Sequence, residues 1–231
     1  MTTSRHPAPT AAHAELRRRT LRKVALRLTP FLGLLYFINY LDRTNIGFAG
    51  PNGMNDELGL TQTMFGLASG VFFIGYLLLE IPSNLALHKF GARRWIARIL
   101  VTWGIIAALM AFGIAEAGFF PGIILYLTFW FPKRERAKAI SFFMLAIPAS
   151  SVLGAPLSAW LIEHGDGLLW GMTGWRFMFL IEGLPAVLLG FICWFFLTDR
   201  PHDAKWLADD ERAWLKAEMD REEEETAATY H

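Results

Sequence analysis

The strongest constraint on this chain is the way its charges are spaced. Over residues 28–197, apolar residues run in stretches long enough to cross about 30 Å of hydrocarbon, and Asp, Glu, Lys and Arg gather in short blocks between them. A soluble core does not demand such segregation. A bilayer does, and it admits helices because they satisfy their own backbone hydrogen bonds. Composition agrees, with 54% of the residues hydrophobic and 19% charged. The expected class is an all-α integral membrane protein. A formal net charge of +1 gives no footing for a nucleic-acid partner. The single cysteine, Cys193, lies in an apolar run, which excludes an intramolecular disulfide and a cysteine metal site and leaves packing as its role. His164 has no other ligand-type side chains at metal spacing and reads as solvated. No metal or cofactor is expected. No Ser-His, Cys-His or phosphate-cradling arrangement points to an enzyme.

Six spans are expected, at residues 28–49, 63–87, 95–112, 113–131, 139–162 and 175–197. Residues 1–27 precede them as a basic segment without the early apolar core of a signal peptide. Arg17, Arg18, Arg19, Arg22, Lys23 and Arg27 before span one, Lys89, Arg93 and Arg94 after span two, and Lys133, Arg134, Arg136 and Lys138 after span four mark the cytoplasmic side. The connections at 51–62 and 163–174 contain no Lys or Arg and read as external. Both termini are then cytoplasmic. The apolar region 95–131 holds two spans with no polar loop between them. As one helix it would run about 55 Å, nearly twice the bilayer core, so a turn is expected near Phe112 and Gly113.

Asp42 and Arg43 stand side by side inside span one. Fifteen residues beyond Arg27, at about 1.5 Å each, put Asp42 roughly 22 Å into the membrane, too deep for an ordinary surface cap. Placing either charge in hydrocarbon costs roughly 3 kcal/mol or more, so such residues usually face a water-filled cavity, a partner charge or a transported ion. The plainer alternative is that the two neutralise each other, or that Asp42 caps a helix end.

Three strings carry a family resemblance: residues 39–47 (NYLDRTNIG), 113–122 (GIAEAGFFPG) and 175–183 (WRFMFLIEG). The chain resembles the anion:cation symporters of the major facilitator superfamily, nearest to tartrate- and phthalate-permease-like members. That resemblance implies twelve spans in two six-helix halves rocking about a central site, of which only the amino-terminal half is present here. It implies that Asp42 and Glu116 accept protons and that Arg43 binds the anionic group of a small organic anion, with Tyr40 and Asn45 in the same candidate site. Physical chemistry supports each role. A carboxylate in a partly dry cavity is readily loaded with a proton, and an arginine keeps its charge and offers a planar fork matched to a carboxylate. The implied setting is the inner membrane of a bacterium, with the anion, a proton, the lipid bilayer and a carboxyl-terminal half as partners.

Two departures from the pattern stand out. The link between spans three and four is abnormally short, and Leu109 occupies the position of a second substrate-facing arginine. A truncated, non-transporting fragment, or a half that works only with a partner, is the alternative function. In the link between spans two and three, Asn84, His88, Lys89, Gly91, Arg93 and Arg94 sit where the superfamily carries a Gly-x-x-x-Asp-Arg-x-Gly-Arg-Arg signature, with Asn84 for the glycine and His88 for the aspartate. This loop either latches helix ends in one access state or only anchors the cytoplasmic side.

Other residues are read structurally. Glu182 is assigned an interhelix hydrogen bond, whereas Glu80 is left open between a cavity and a structural role. Gly70, Gly75, Gly118 and Gly122 suit close helix approach or bending, and Pro148 and Pro156 suit a kinked span five. Trp130, Phe131, Trp170 and Trp175 are expected as interfacial anchors. After residue 197 the chain becomes a linker with Trp206, Leu207, Trp214 and Leu215 at amphipathic spacing, ending in a solvated acidic run, Glu222 to Glu225. Residues 1–20 are expected to be disordered.

Overall fold

The computed structural model describes residues 11–64, 66–67, 70, 82–83, 85–87, 89–110 and 120–229. Most of span two, Glu80, Asn84, His88, Glu116 and the turn at Phe112 and Gly113 lie outside the described residues. Among the described residues every regular element is helical. We label them α1 (Ala11–Ala49), α2 (Ala92–Met110), α3 (Phe120–Trp130), α4 (Lys133–Met144), α5 (Ala146–Gly165), α6 (Gly174–Phe196) and α7 (Asp209–Thr229).

The first helix begins earlier than the sequence suggests. Its 39 residues span about 58 Å, so it reaches well beyond a bilayer core. Residues 11–20, expected to be disordered, are its first turns. Basic side chains there and one turn on have partners that only the fold supplies: Arg17 meets Glu135 at 3.5 Å, Arg19 meets Asp210 at 2.6 Å and Glu211 at 2.7 Å, and Lys23 meets Glu211 at 2.8 Å. At its far end the helix stops at Pro51. Pro51 has no N–H to donate, the backbone widens into a π turn over Gly50–Met54, and Gly53 turns the chain at φ +101°. The Asn52 amide donates to the Phe48 carbonyl at 2.8 Å, satisfying an acceptor at the helix end.

Span five belongs to a helical run, Lys133–Gly165, that is interrupted at Leu145. Pro148 removes the N–H that the Met144 carbonyl would accept. The chain breaks at Leu145, whose N–H turns to Phe142 at 3.2 Å, which separates α4 from α5. The most intimate pairing is α2 against α6, where small residues let the backbones meet. A Cβ added at Gly104 would lie 2.6 Å from the Val187 nitrogen, and one at Gly190 would lie 2.7 Å from a Val101 methyl. The core runs from Leu28, Leu32 and Leu35 through Ile96 and Leu100 to Tyr126, Trp130, Cys193 and Leu215. Cys193 is buried there as packing. Outward faces carry exposed Val152 and Leu153 on α5 and Leu188 and Phe195 on α6, the distribution a hydrocarbon solvent favours. Among the described residues, three helical runs, Ala11–Glu57, Lys133–Gly165 and Gly174–Phe196, are long and apolar enough to cross a membrane.

Two further expectations change. Trp130, Phe131 and Trp175 are buried, and only Trp170 among the four aromatic anchors is exposed. Trp130 stacks on Trp206 at 5.4 Å, while the Trp175 indole turns inward to a carboxylate. The acidic run is also partly docked. Glu222 accepts the Lys133 backbone N–H at 3.0 Å and lies 3.9 Å from Arg136. It thereby serves the N-terminus of α4, where a negative charge is favoured.

Candidate functional site

Four helices bring polar side chains to one point in the bundle. On α1, Asn39, Asp42, Asn45 and Ala49 recur at helical spacing and are all buried. Asp42 is 5% exposed. Its Oδ2 accepts the Trp103 indole N–H from α2 at 3.2 Å, and its Oδ1 accepts an Asn45 amide N–H at 3.3 Å. From α5, the Ser158 hydroxyl lies 3.0 Å from Glu182 Oε1 on α6 and 3.4 Å from Asn45 Oδ1. One hydroxyl proton serves one acceptor at a time, and the shorter contact goes to Glu182. Asn45, Ser158 and Glu182 are each buried to 2% exposure or less.

The arrangement is a buried polar relay: Trp103 and Asn45 hold Asp42, Ser158 holds Glu182, and the two groups meet where the Ser158 oxygen lies 3.4 Å from Asn45 Oδ1. Burying a carboxylate is costly unless hydrogen bonds replace its water; Asp42 receives one at each oxygen, whereas Glu182 receives one at Oε1 and its Oε2 is buried without a partner. Asp42 therefore does not cap a helix end. Its two hydrogen bonds run to Trp103 and to Asn45 three residues on along α1. Glu182 makes the interhelix bond expected of it. Asn45, expected beside a substrate, lies fully buried within the relay.

Arg43 and Tyr40 lie on a neighbouring face. Successive helix residues are about 100° apart, so Arg43 cannot share the direction of Asp42. Tyr36, Tyr40, Arg43 and Gly47 recur instead along one side of α1, half-buried at Tyr40 and Arg43 and open at Gly47. The Tyr36 ring is 6.0 Å from Tyr40 and stacks 4.3 Å from Phe143 on α4, which fixes that side at its inner end. Glu116, the expected second proton acceptor, lies outside the described residues. Trp103 and Ser158 carried no signal in the sequence, since an indole and a hydroxyl in apolar runs are ordinary residues until the helices that face them are known.

The described part of the loop between spans two and three is held by a distant carboxylate. Gly91 adopts φ +86°, and a Cβ there would lie 2.9 Å from Asp199. Asp199, just beyond α6, accepts the Arg93 backbone N–H at 2.6 Å. It acts as an N-cap supplied from the far end of the chain. Lys89 and Arg94 are exposed, and the half-buried Arg93 has its Nε 3.9 Å from the same aspartate. At the opposite end of the bundle, the two connections that lack Lys and Arg are tied together. Glu57 accepts from the Trp175 indole at 2.7 Å, Thr173 at 2.9 Å and Arg176 Nε at 3.0 Å. Burial pushes the Glu57 carboxyl up, but these hydrogen bonds and the Arg176 charge outweigh it and hold it below the usual range. His164 is exposed and stacks on Trp160 at 4.9 Å. Among the described residues no three His, Cys, Asp or Glu side chains group to hold a metal.

The family model described as Major Facilitator Superfamily matches residues 32–221. A protein of Agrobacterium vitis described as "Putative tartrate transporter" is 54% identical over 226 residues, 91% of this chain and 51% of its own length. One of Pseudomonas putida described as "Putative metabolite transport protein NicT" is 41% identical over 223 residues, 90% of this chain and 51% of its own. The chain thus spans about half the length of the relatives it matches. Among solved structures, a bacterial homolog of the human lysosomal transporter Spinster, inward-facing and occupied, superposes with a TM-score of 0.61 at 22% identity. The superposition covers 75% of this chain and 44% of that one.

Proposed function

The chain belongs to the Major Facilitator Superfamily, a family of membrane transporters and not of enzymes, and on that premise we propose that it is the amino-terminal half of a proton-coupled symporter for a small organic anion. Asp42, with Glu116, takes the proton. Arg43, with Tyr40, receives the anion, Asn45 holds Asp42 beside them, and rocking of two halves exposes the site to each side in turn. The observation that carries this reading is a buried carboxylate in the middle of a span, hydrogen-bonded across helices and one residue from a half-buried arginine. Nature rarely leaves such a pair in a membrane without a use for it. The description of the Agrobacterium vitis relative favours a carboxylate substrate. Bacterial relatives and apolar helices favour the inner membrane. The Lys and Arg blocks favour cytoplasmic termini.

Because the chain spans about half of those relatives, we further propose that transport needs a second half to complete the cavity, and that the chain alone does not transport. The test is uptake of labelled tartrate into vesicles that hold the 231-residue chain, with and without the carboxyl-terminal half of a relative, under an inward proton gradient. Uptake is expected only with both halves. Asp42→Asn should abolish accumulation driven by pH while leaving anion counterflow largely intact. Undiminished accumulation by that variant at low external pH would sink the coupling role. Absence of tartrate, sugar-acid and aromatic-acid uptake in both arrangements would sink the transport assignment.

A further inference from the structure

A groove remote from the Asp42 relay opens where α1, α4 and α7 meet, at the end of the bundle that holds the basic amino-terminal turns. Its volume is about 1230 Å³, above the roughly 300–1,000 Å³ of ordinary small-molecule sites. We infer that this groove binds one anionic phospholipid of the cytoplasmic leaflet. The lining has two tiers. Arg17, Arg18, Arg22, Lys138 and Arg221 contribute five cations. Glu135 pairs with Arg17 and Lys138, Glu218 with Arg221, and Glu15 and Glu225 reach Arg18 and Arg221 from beyond the lining, so the uncompensated charge is that of Arg22. Below them lies an apolar floor that includes Leu21, Leu26, Pro30, Phe142 and Trp214.

Three buried polar atoms in the wall lack a hydrogen-bond partner: Arg17 Nε, the hydroxyl of Thr29, a residue only 7% exposed, and the indole Nε1 of Trp214. Buried polar groups are nearly always satisfied, so three unpaired donors on one groove mark a missing acceptor. Pro30 adds to this by withholding the N–H that the Leu26 carbonyl would accept. Arg22 is exposed and makes no ion pair among the described residues. On the floor, Leu26 is 66% and Phe142 51% exposed, an apolar surface beside charge that water would not favour. A phosphodiester meets the cations and accepts from Arg17 and Thr29, while its acyl chains cover the floor. A zwitterionic lipid would bring its own cation against the excess positive charge, and a free phosphate would leave the floor bare. The inference rests on the proposed orientation of the spans, and not on which anion is carried.

The test uses the full chain in bilayer nanodiscs of phosphatidylcholine doped with brominated phosphatidylglycerol. Retained lipid is counted by native mass spectrometry, and Trp214 quenching is taken as the signal lost in Trp214→Phe. One phosphatidylglycerol per chain and quenching of Trp214 are expected. The double variant Arg18→Gln, Arg22→Gln should weaken retention roughly thirtyfold, from about 1 kcal/mol per basic residue at an anionic surface, with unchanged helical circular dichroism. Equal retention of the two lipids would overturn the inference. So would wild-type retention by the variant, displacement by inorganic phosphate at millimolar levels, or occupation of the groove by a second polypeptide. Labelling of Cys substitutions at residues 18 and 166 from each side reads the orientation separately, so a failure there is distinguishable from a failure of the groove.

Discussion

Replacing Gly104 by alanine tests whether the α2–α6 contact is as tight as its geometry requires. The added methyl would stand 2.6 Å from the Val187 nitrogen and 2.8 Å from the Gly183 carbonyl oxygen, both backbone atoms that cannot swing away. Ordinary contact begins near 3.4 Å, so the helices must part by about 0.8 Å at this crossing. Overpacking of this kind costs about 1–3 kcal/mol, against which alanine recovers up to about 1 kcal/mol of helix propensity. The net expectation is a loss of up to about 2 kcal/mol. The same shift would stretch the neighbouring bond from Trp103 to Asp42, now 3.2 Å, beyond hydrogen-bonding reach. Gly33→Ala is the control, because its Cβ meets only the Phe142 ring at 3.9 Å and should gain up to about 1 kcal/mol. Unfolding of the purified chain in mixed micelles of rising SDS fraction, followed by tryptophan fluorescence, should rank Gly33→Ala above wild type and wild type above Gly104→Ala. A Gly104→Ala midpoint equal to or above that of Gly33→Ala would refute the reasoning.

Ser158→Ala should cost about 1–3 kcal/mol by leaving Glu182 without its hydroxyl donor, whereas Ser151→Ala, whose exposed hydroxyl bonds only its own helix, should change little; equal midpoints in the same unfolding assay would contradict this. Glu57 and Glu211 are both held below the usual carboxylate range, Glu211 because Lys23, the Ala208 N–H and Arg19 together outweigh its burial. A depressed carboxylate stabilises the fold above its unfolded value of about 4.3 and loses that contribution as pH falls through the folded one. Acid titration should therefore loosen both ends of the bundle below about pH 4. Glu57→Gln should flatten that dependence and lower stability near neutrality by about 1 kcal/mol, since the pair is partly exposed. Gly91→Ala forces a side chain to φ +86° and against Asp199, a cost of about 1–2 kcal/mol from the backbone alone. It should speed hydrogen exchange of the Arg93 amide, and unchanged exchange there would show that Asp199 does not cap α2.

The pattern of charge between apolar runs was enough to establish helices in a membrane, because hydrocarbon admits almost nothing else and each residue reports its preference locally. Asp42 and Arg43 could be singled out for the same reason: an ionisable residue deep in a span is costly wherever the rest of the chain goes. Strings of residues with a recognisable order carried the family. What no local property encodes is who faces whom. Trp103 and Ser158 became donors to Asp42 and Glu182 only when α2, α5 and α6 closed on α1. Asp199 became the cap of α2 across 106 residues of chain. The basic turns of α1 meet carboxylates 188 and 191 residues away, in Glu211 and Asp210. Trp175 became a buried donor because Glu57, remote in sequence, accepts its indole N–H. These pairings depend on which small residues let backbones approach and on where prolines break the helices, and they are therefore properties of the assembled bundle.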